Sequence, residues 1–494
     1  AQISALTTTQ IVALTSDQMV SLTSTQIQDL TVTQLTKLSD VQIAAIETSD
    51  LAKLTTVQLN ALTTTQVAAL TSDQVAALTT TQLNVLSTAQ FEKIDAVDLA
   101  ALSTTQIVSL GTAQVVALTT TQVQALSNEQ LQALSTAQVA KLETTDLAAM
   151  SSDQISALTT TQVAALTTAQ VAALTTTQVT ALSSDQLQAL NTAQIAKLET
   201  TDLAKLSNDQ ITALTTTQIG ALTTDQVIAL TTGQVASLTV TQLDALSTAQ
   251  IAKLEITDLA KLSNDQVAAL TTTQVQALTT DQVAALTTDQ VAALTTTQVD
   301  ALTTAQVAKL ETTDVAALSD AQLKQLSSDQ LKALTTDQLH ALSSDQTAVF
   351  STTQIQALSQ TQLQALNLDA IIPTMSTTQI QALSTTQIDG LTNNQIQALS
   401  TTQIAALTTA QVVALNTTQV QVLSSDQLQA MTTTQIAKLE TTDLAKLSNE
   451  QLDSLSATQI KALGTDQIQA LTAGQTAALT TTQIGALTTV QVAK

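Results

Sequence analysis

The sequence predicts an all-α fold, a superhelical solenoid of very short capped helices with one helix for every eight residues. Three observations predict it. An apolar pair spaced three residues apart recurs every eight residues along the chain. Each pair is followed by Thr or Ser and, three places later, by Gln, as in 160-TTTQVAALTTAQVAALTTTQV-180. The 494 residues contain no Trp, Tyr or Cys, two Phe and one Pro, yet 44% are apolar. Without aromatic bulk, that apolar mass has to lie in many small, similar layers.

The octad is lettered a to h from its first apolar residue. Position a runs in steps of eight from Ile3 to Ile371, which makes 47 octads. An irregular unit occupies 366-LNLDAIIPTMS-376, with the sole Pro and one extra residue, and 15 further octads run from Ile380 to Val492. The whole of 1–494 is therefore expected to be one continuous array. Thr347 and Thr476 are the exceptions to an apolar a, and position d is Leu almost throughout.

A single long helix cannot use this pattern. Eight residues at about 100° each rotate the apolar stripe by roughly 80° per octad, so no face persists. Strict alternation, which a strand needs, is absent, and the a–d spacing is helical. The pattern fits a helix that restarts in every octad. A β-solenoid is the rival, because Thr and Val favour strands, but the Ala, Leu and Gln content and the capping pattern oppose it.

Position e supplies the start signal. It is Thr or Ser in most octads, and its exceptions include Asn191, Asn367, Asn416, Gly111 and Gly464, which are also residues that tolerate the N-cap. With Gln at h, S/T-x-x-Q is a capping box, in which the cap hydroxyl and the N3 side chain each serve an orphan backbone N–H. The same phase makes d and a the N′ and N4 residues of a hydrophobic staple. It also puts Asp17, Asp73 and Asp225 in the first turn, where the helix dipole favours acids. Each helix is then under two turns long and survives only by packing on other octads. Layers about 8–10 Å apart would give a rod on the order of 100–300 Å, according to how many helices complete a turn.

Seven octads replace the box by an acid at e and Asp at h: Glu47/Asp50, Asp95/Asp98, Glu143/Asp146, Glu199/Asp202, Glu255/Asp258, Glu311/Asp314 and Glu440/Asp443. Six have Lys two residues before the acid, at Lys93, Lys141, Lys197, Lys253, Lys309 and Lys438. They read as charged caps offset by a nearby Lys. Neither an EF-hand nor a calcium-binding nonapeptide pattern is present. The first six recur at intervals of 48, 48, 56, 56 and 56 residues, consistent with block duplication or with a stripe that returns after a whole number of superhelical turns. The unit around Pro373 reads as a bend or bulge.

Composition narrows the function. A net charge of −24 repels nucleic acid and anionic membranes. No run approaches the 18 or so apolar residues of a membrane span. One His, His340, and no Cys leave no metal cluster and no nucleophile–base pair. Phe91 and Phe350 read as core. The string 223-TTDQVIAL-230 is similar to helix starts of TAL-effector repeats, but the 34-residue period and base-reading pair of that family are missing. No catalytic, cofactor-binding or metal residue is assigned, no cofactor is expected, and an enzyme is not expected.

The octads resemble the octapeptide-repeat arrays of very large bacterial surface and secreted proteins, adhesin-like stalks and fibres. The resemblance covers every octad by style of repeat, and it implies an extracellular or cell-surface structural role. The expected function is an extended rod, filament, stalk or spacer. A protein- or glycan-binding solenoid is the alternative, and a Thr-ladder ice-binding protein a remote one. The first residue is Ala1, and both ends fall inside the repeat. A processed or excised chain is therefore expected, with self-association or continuation of the same array as its partner and exposed Thr and Ser open to O-glycosylation.

Overall fold

The computed structural model describes residues 2–366 and 368–493. Asn367, expected as an N-cap, and the terminal Ala1 and Lys494 lie outside the described residues. The described chain forms 61 α-helices of four to six residues and two 3-10 turns, and no strand. The fold is thus the all-α solenoid, and the β-solenoid is not realised. Each helix spans f to a, b or c of the octad frame, as in Thr200–Leu203, which ends at a, and Thr176–Ala181, which ends at c with Thr175 as its cap. The cap backbone is extended, φ −76° and ψ 158° at Thr175, so the chain leaves one helix and turns directly into the next.

The chain divides into two compact units, Ala1–Leu254 and Glu255–Lys494. In the first, the helix Asn208–Ala213 packs on the helices three before and three after it, Ser184–Ala189 and Thr232–Ser237. In the second, Thr288–Ala293 packs on Thr312–Ala317 in the same way. The a residues fill the centre and the d residues flank them. Val179, Ile211, Val291 and Ile436 are fully buried, and Leu182, Leu214 and Leu294 nearly so. Each such side chain contributes about 1.5–3 kcal/mol on burial, which is what sustains helices too short to stand alone. Phe91 and Phe350 are buried among them.

The extra residue near Pro373 is absorbed locally. The helix Leu368–Ile371 runs into the 3-10 turn Ile372–Thr374, and Ile371 and Ile372 are both buried. Ile372 takes over the a role in the new frame, with Met375 as its d partner. The irregular unit is a bulge that leaves the layers on either side in register.

Candidate functional site

The residues that organise this protein are the glutamines at h. Gln178 accepts the Thr175 N–H on Oε1 at 2.8 Å, and its own N–H donates to Thr175 Oγ1 at 3.4 Å, which completes the capping box. Its amide nitrogen points the other way. Nε2 donates to the carbonyls of Met150 at 2.7 Å and Leu147 at 2.9 Å, at the C-terminal end of the helix four before. In the second unit Gln427 does the same, with the Ser424 N–H on Oε1 at 2.9 Å and Nε2 on Leu399 and Ile396 at 2.7 and 2.9 Å. One buried amide therefore serves the orphan donors at the start of one helix and the orphan acceptors at the end of another. Gln178 and Gln427 are 1% and 3% exposed, so both roles are played out of water, where an unserved polar group is costly.

This lace sets the superhelix. Gln178 reaches back 28 residues to the d carbonyl and 31 to the a carbonyl. A second, surface lace runs from glutamines at b to carbonyls at c, 25 residues on, as from Gln188 to Ala213 at 2.8 Å and from Gln381 to Ala406 at 2.8 Å. A turn thus takes about 28 residues, three and a half octads. His340 is an exposed member of the surface lace, its Nδ1 3.3 Å from the Ala365 carbonyl. Across the bulge the lace stretches by one residue and holds: Gln387 reaches the Leu358 carbonyl 29 residues back at 2.9 Å, and Gln403 reaches Met375 at the usual 28.

Sequence reasoning found the capping half of this site and missed the lacing half. A signal was available. Glu serves a capping box as well as Gln does, yet Glu never stands at h. A position that accepts Gln and refuses Glu needs a donor as well as an acceptor.

The acid octads differ from their sequence-based reading. Glu143, Glu199 and Glu440 make no side-chain cap bond, and Lys141, Lys197 and Lys438 form no ion pair with them among the described residues. Asp95 does cap, accepting the Val97 N–H at 3.0 Å. At Glu311 the backbone N–H donates to Asp314 Oδ2 at 3.1 Å, so half a box survives. The constant feature lies at h. Asp146 is 3% exposed and accepts the hydroxyl of Thr120, 26 residues earlier, at 2.6 Å. Asp50, Asp202 and Asp443, equally buried, accept the hydroxyls of Ser24, Thr176 and Thr417 at 2.5, 2.5 and 2.6 Å. Position f, silent in the sequence, supplies those hydroxyls. Within the first unit Glu143 and Glu199 are 56 residues apart, about two turns of 28. Glu255 and Glu311 repeat that spacing in the second unit.

The remaining surface offers little chemistry. Two depressions of about 360 Å³ lie among Gln2, Ile3, Thr23, Thr25, Gln26 and Asp29, and among Asn449, Glu450, Asp453, Ala478 and Thr480. Neither joins a nucleophile to a base. The Glu450 carboxyl lies below the usual carboxylate range, because its own backbone N–H and then the Ser448 hydroxyl donate to it. Among the described residues no three His, Cys, Asp or Glu side chains gather as a metal cluster, and no helix is long and apolar enough to cross a membrane.

Ten segments match the family model described as the ALTTAQ repeat: 43–80, 91–128, 139–176, 195–232, 251–288, 284–312, 307–344, 372–409, 404–441 and 436–473, which together cover more than half of the chain. Seven of them begin four residues before the acid of an acid octad, at Ile43, Phe91, Val139, Ile195, Ile251, Val307 and Ile436. The acid octad thus stands at the same offset in seven of the ten matched segments. No curated protein matches. Among solved structures, a chain of a homology model of the full-length AP-3 complex in an intermediate open conformation is similar at 11% identity over 97% of this chain and 80% of that one, with a TM-score of 0.16.

Proposed function

Since the chain belongs to the ALTTAQ repeat family, we propose that it is a non-catalytic structural array whose task is to make length: an extended rod, stalk, spacer or filament at the cell surface. The observation that carries this reading is the glutamine lace. Each turn is held by the turn before it through the same bonds, so another octad adds rise and no new kind of contact. Among the described residues the exposed large apolar side chains are valines and isoleucines such as Val41, Val57, Val97 and Ile256, and they supply no aromatic anchor of the kind that dominates binding hot spots. Continuation of the same array, in this chain or in further copies, is the partner this reading favours, with exposed Thr and Ser available for O-glycans.

Small-angle scattering of the purified chain tests it. A turn of about 28 residues gives Ala1–Leu254 about nine turns, or roughly 70–90 Å at a layer spacing of 8–10 Å. A rod requires a maximum dimension on the order of 150 Å and a constant cross-section. A compact particle would refute the length-making role. For the location, a surface-restricted protease applied to intact cells should remove the chain, and complete resistance would count against the cell surface.

A further inference from the structure

The acid octads break the lace at a defined place. In an ordinary octad the Nε2 of Gln sits where the a, b and d carbonyls of the helix four before converge. Gln154 donates in this way to Val123, Gln124 and Leu126 at 3.2, 3.1 and 3.0 Å. The corresponding carbonyls for Asp146 belong to Val115, Val116 and Leu118. Asp146 has no nitrogen to offer them, and its side chain stops one carbon–carbon bond, about 1.5 Å, short of the glutamine's reach. The Leu118 carbonyl accepts no hydrogen bond from any described residue. Asp146 Oδ1 takes the Thr120 hydroxyl, while Oδ2 is buried without a partner.

The surroundings bring no positive charge to that oxygen. The helices packed on Thr144–Ala149, namely Thr120–Ala125 and Thr168–Ala172, carry no charged residue, and neither does Thr112–Val116, which ends at the carbonyls. Lys141 and Glu143, the nearest charges along the chain, are exposed. The Thr120 hydroxyl serves Oδ1 and the Leu118 N–H reaches the Val115 carbonyl at 3.3 Å, but no described donor reaches Oδ2 or the Leu118 carbonyl, so what is left to serve is oxygen-only and net negative. That set suits a hard cation, whereas soft metals prefer nitrogen and sulfur ligands.

We propose that Asp146 Oδ2 and the carbonyl oxygens of Val115, Val116 and Leu118 hold a hard cation (sodium, potassium or calcium) in the place that the glutamine amide nitrogen takes in other octads. The cation replaces the missing donor and closes the lace. Asp50, Asp202 and Asp443 repeat the buried carboxylate and its hydroxyl partner, whereas Asp314 Oδ2 is already served by the Glu311 N–H at 3.1 Å.

Hydrogen exchange on the full chain tests the site. The buffers contain sodium, potassium or calcium chloride, each compared with N-methylglucamine chloride at equal ionic strength. At least one of the three should slow exchange across 115–120 and 144–150 by about fivefold or more, and which salt acts identifies the ion. Asp146→Gln restores the amide donor, so exchange in these segments should become independent of the cation. Equal exchange of the wild-type chain in all four salts overturns the proposal, since a bridging water is indifferent to the salt. A cation response that persists in Asp146→Gln overturns it as well. The wild-type comparison stands without the variant, and equilibrium dialysis followed by elemental analysis of the retained ion gives a second reading.

Discussion

The amide nitrogen of Gln178 lies 2.7 Å from the carbonyl oxygen of Met150, 28 residues earlier, while the same side chain's oxygen holds the Thr175 N–H. Local capping and superhelical stacking are therefore one interaction, because the rotamer that closes the box also aims the donor at the previous turn.

Gln178→Glu separates the two halves. A carboxylate can still accept the Thr175 N–H, but it faces the Met150 and Leu147 carbonyls without a donor. Leaving buried acceptors unserved costs about 1–3 kcal/mol, and the added charge raises that. Thr175→Ala removes the cap alone, at about 1 kcal/mol. Local hydrogen exchange over 147–150 and 175–182 should show the larger loss of protection in Gln178→Glu. The opposite order would mean that the box matters more than the lace.

Gln360 and Gly390 form a compensated pair. Gln360 stands at f, where Thr or Ser is usual, and both polar atoms of its amide are buried without partners. A Cβ at residue 390 would collide with that amide. Gly390→Ala alone should be near neutral, because the flexible amide swings out to water as the backbone becomes stiffer. With Gln360→Thr in place, Gly390→Ala should stabilise by about 0.4–1 kcal/mol. A double-mutant cycle by local exchange measures the coupling, and additivity would show that the two residues do not compete for the space.

Of the two polar residues at position a, Thr476 is exposed and Thr347 is buried in the core column. It is 3% exposed, and its hydroxyl bonds back to the Ser343 and Ser344 carbonyls at 3.1 and 2.9 Å. Thr347→Val should stabilise the surrounding octads by about 0.8 kcal/mol, the gain of one buried methyl. Slower exchange over 343–350 is the expected readout, and faster exchange would mean that the hydroxyl has a partner in the core.

Much of this was legible in the residues. The d–e–h–a order of Leu174, Thr175, Gln178 and Val179 specifies staple, cap and box within one octad, and those are local rules that act over four or five residues. The number of helices per turn was not legible, because it depends on where Gln178 Nε2 finds carbonyls 28 and 31 residues away. The acid octads were misread for the same reason. Glu143 looked like a cap, whereas the organising residue is Asp146, whose partner Thr120 lies 26 residues back at an unremarked f position. The extra residue near Pro373 reads as a bend or bulge, and it is a bulge, in which pairing Ile372 with Met375 keeps the lace intact.

A turn of about three and a half octads is tested most directly by disulfide trapping, in a chain that has no native Cys. Gln188 and Ala213 are joined by the surface lace, 25 residues apart. The pair Gln188→Cys with Ala213→Cys should oxidise readily. The control pair Gln188→Cys with Ala221→Cys, one octad further along, should remain reduced under the same conditions. Preferential oxidation of the control pair, or equal oxidation of both, would contradict the register and with it the laced solenoid.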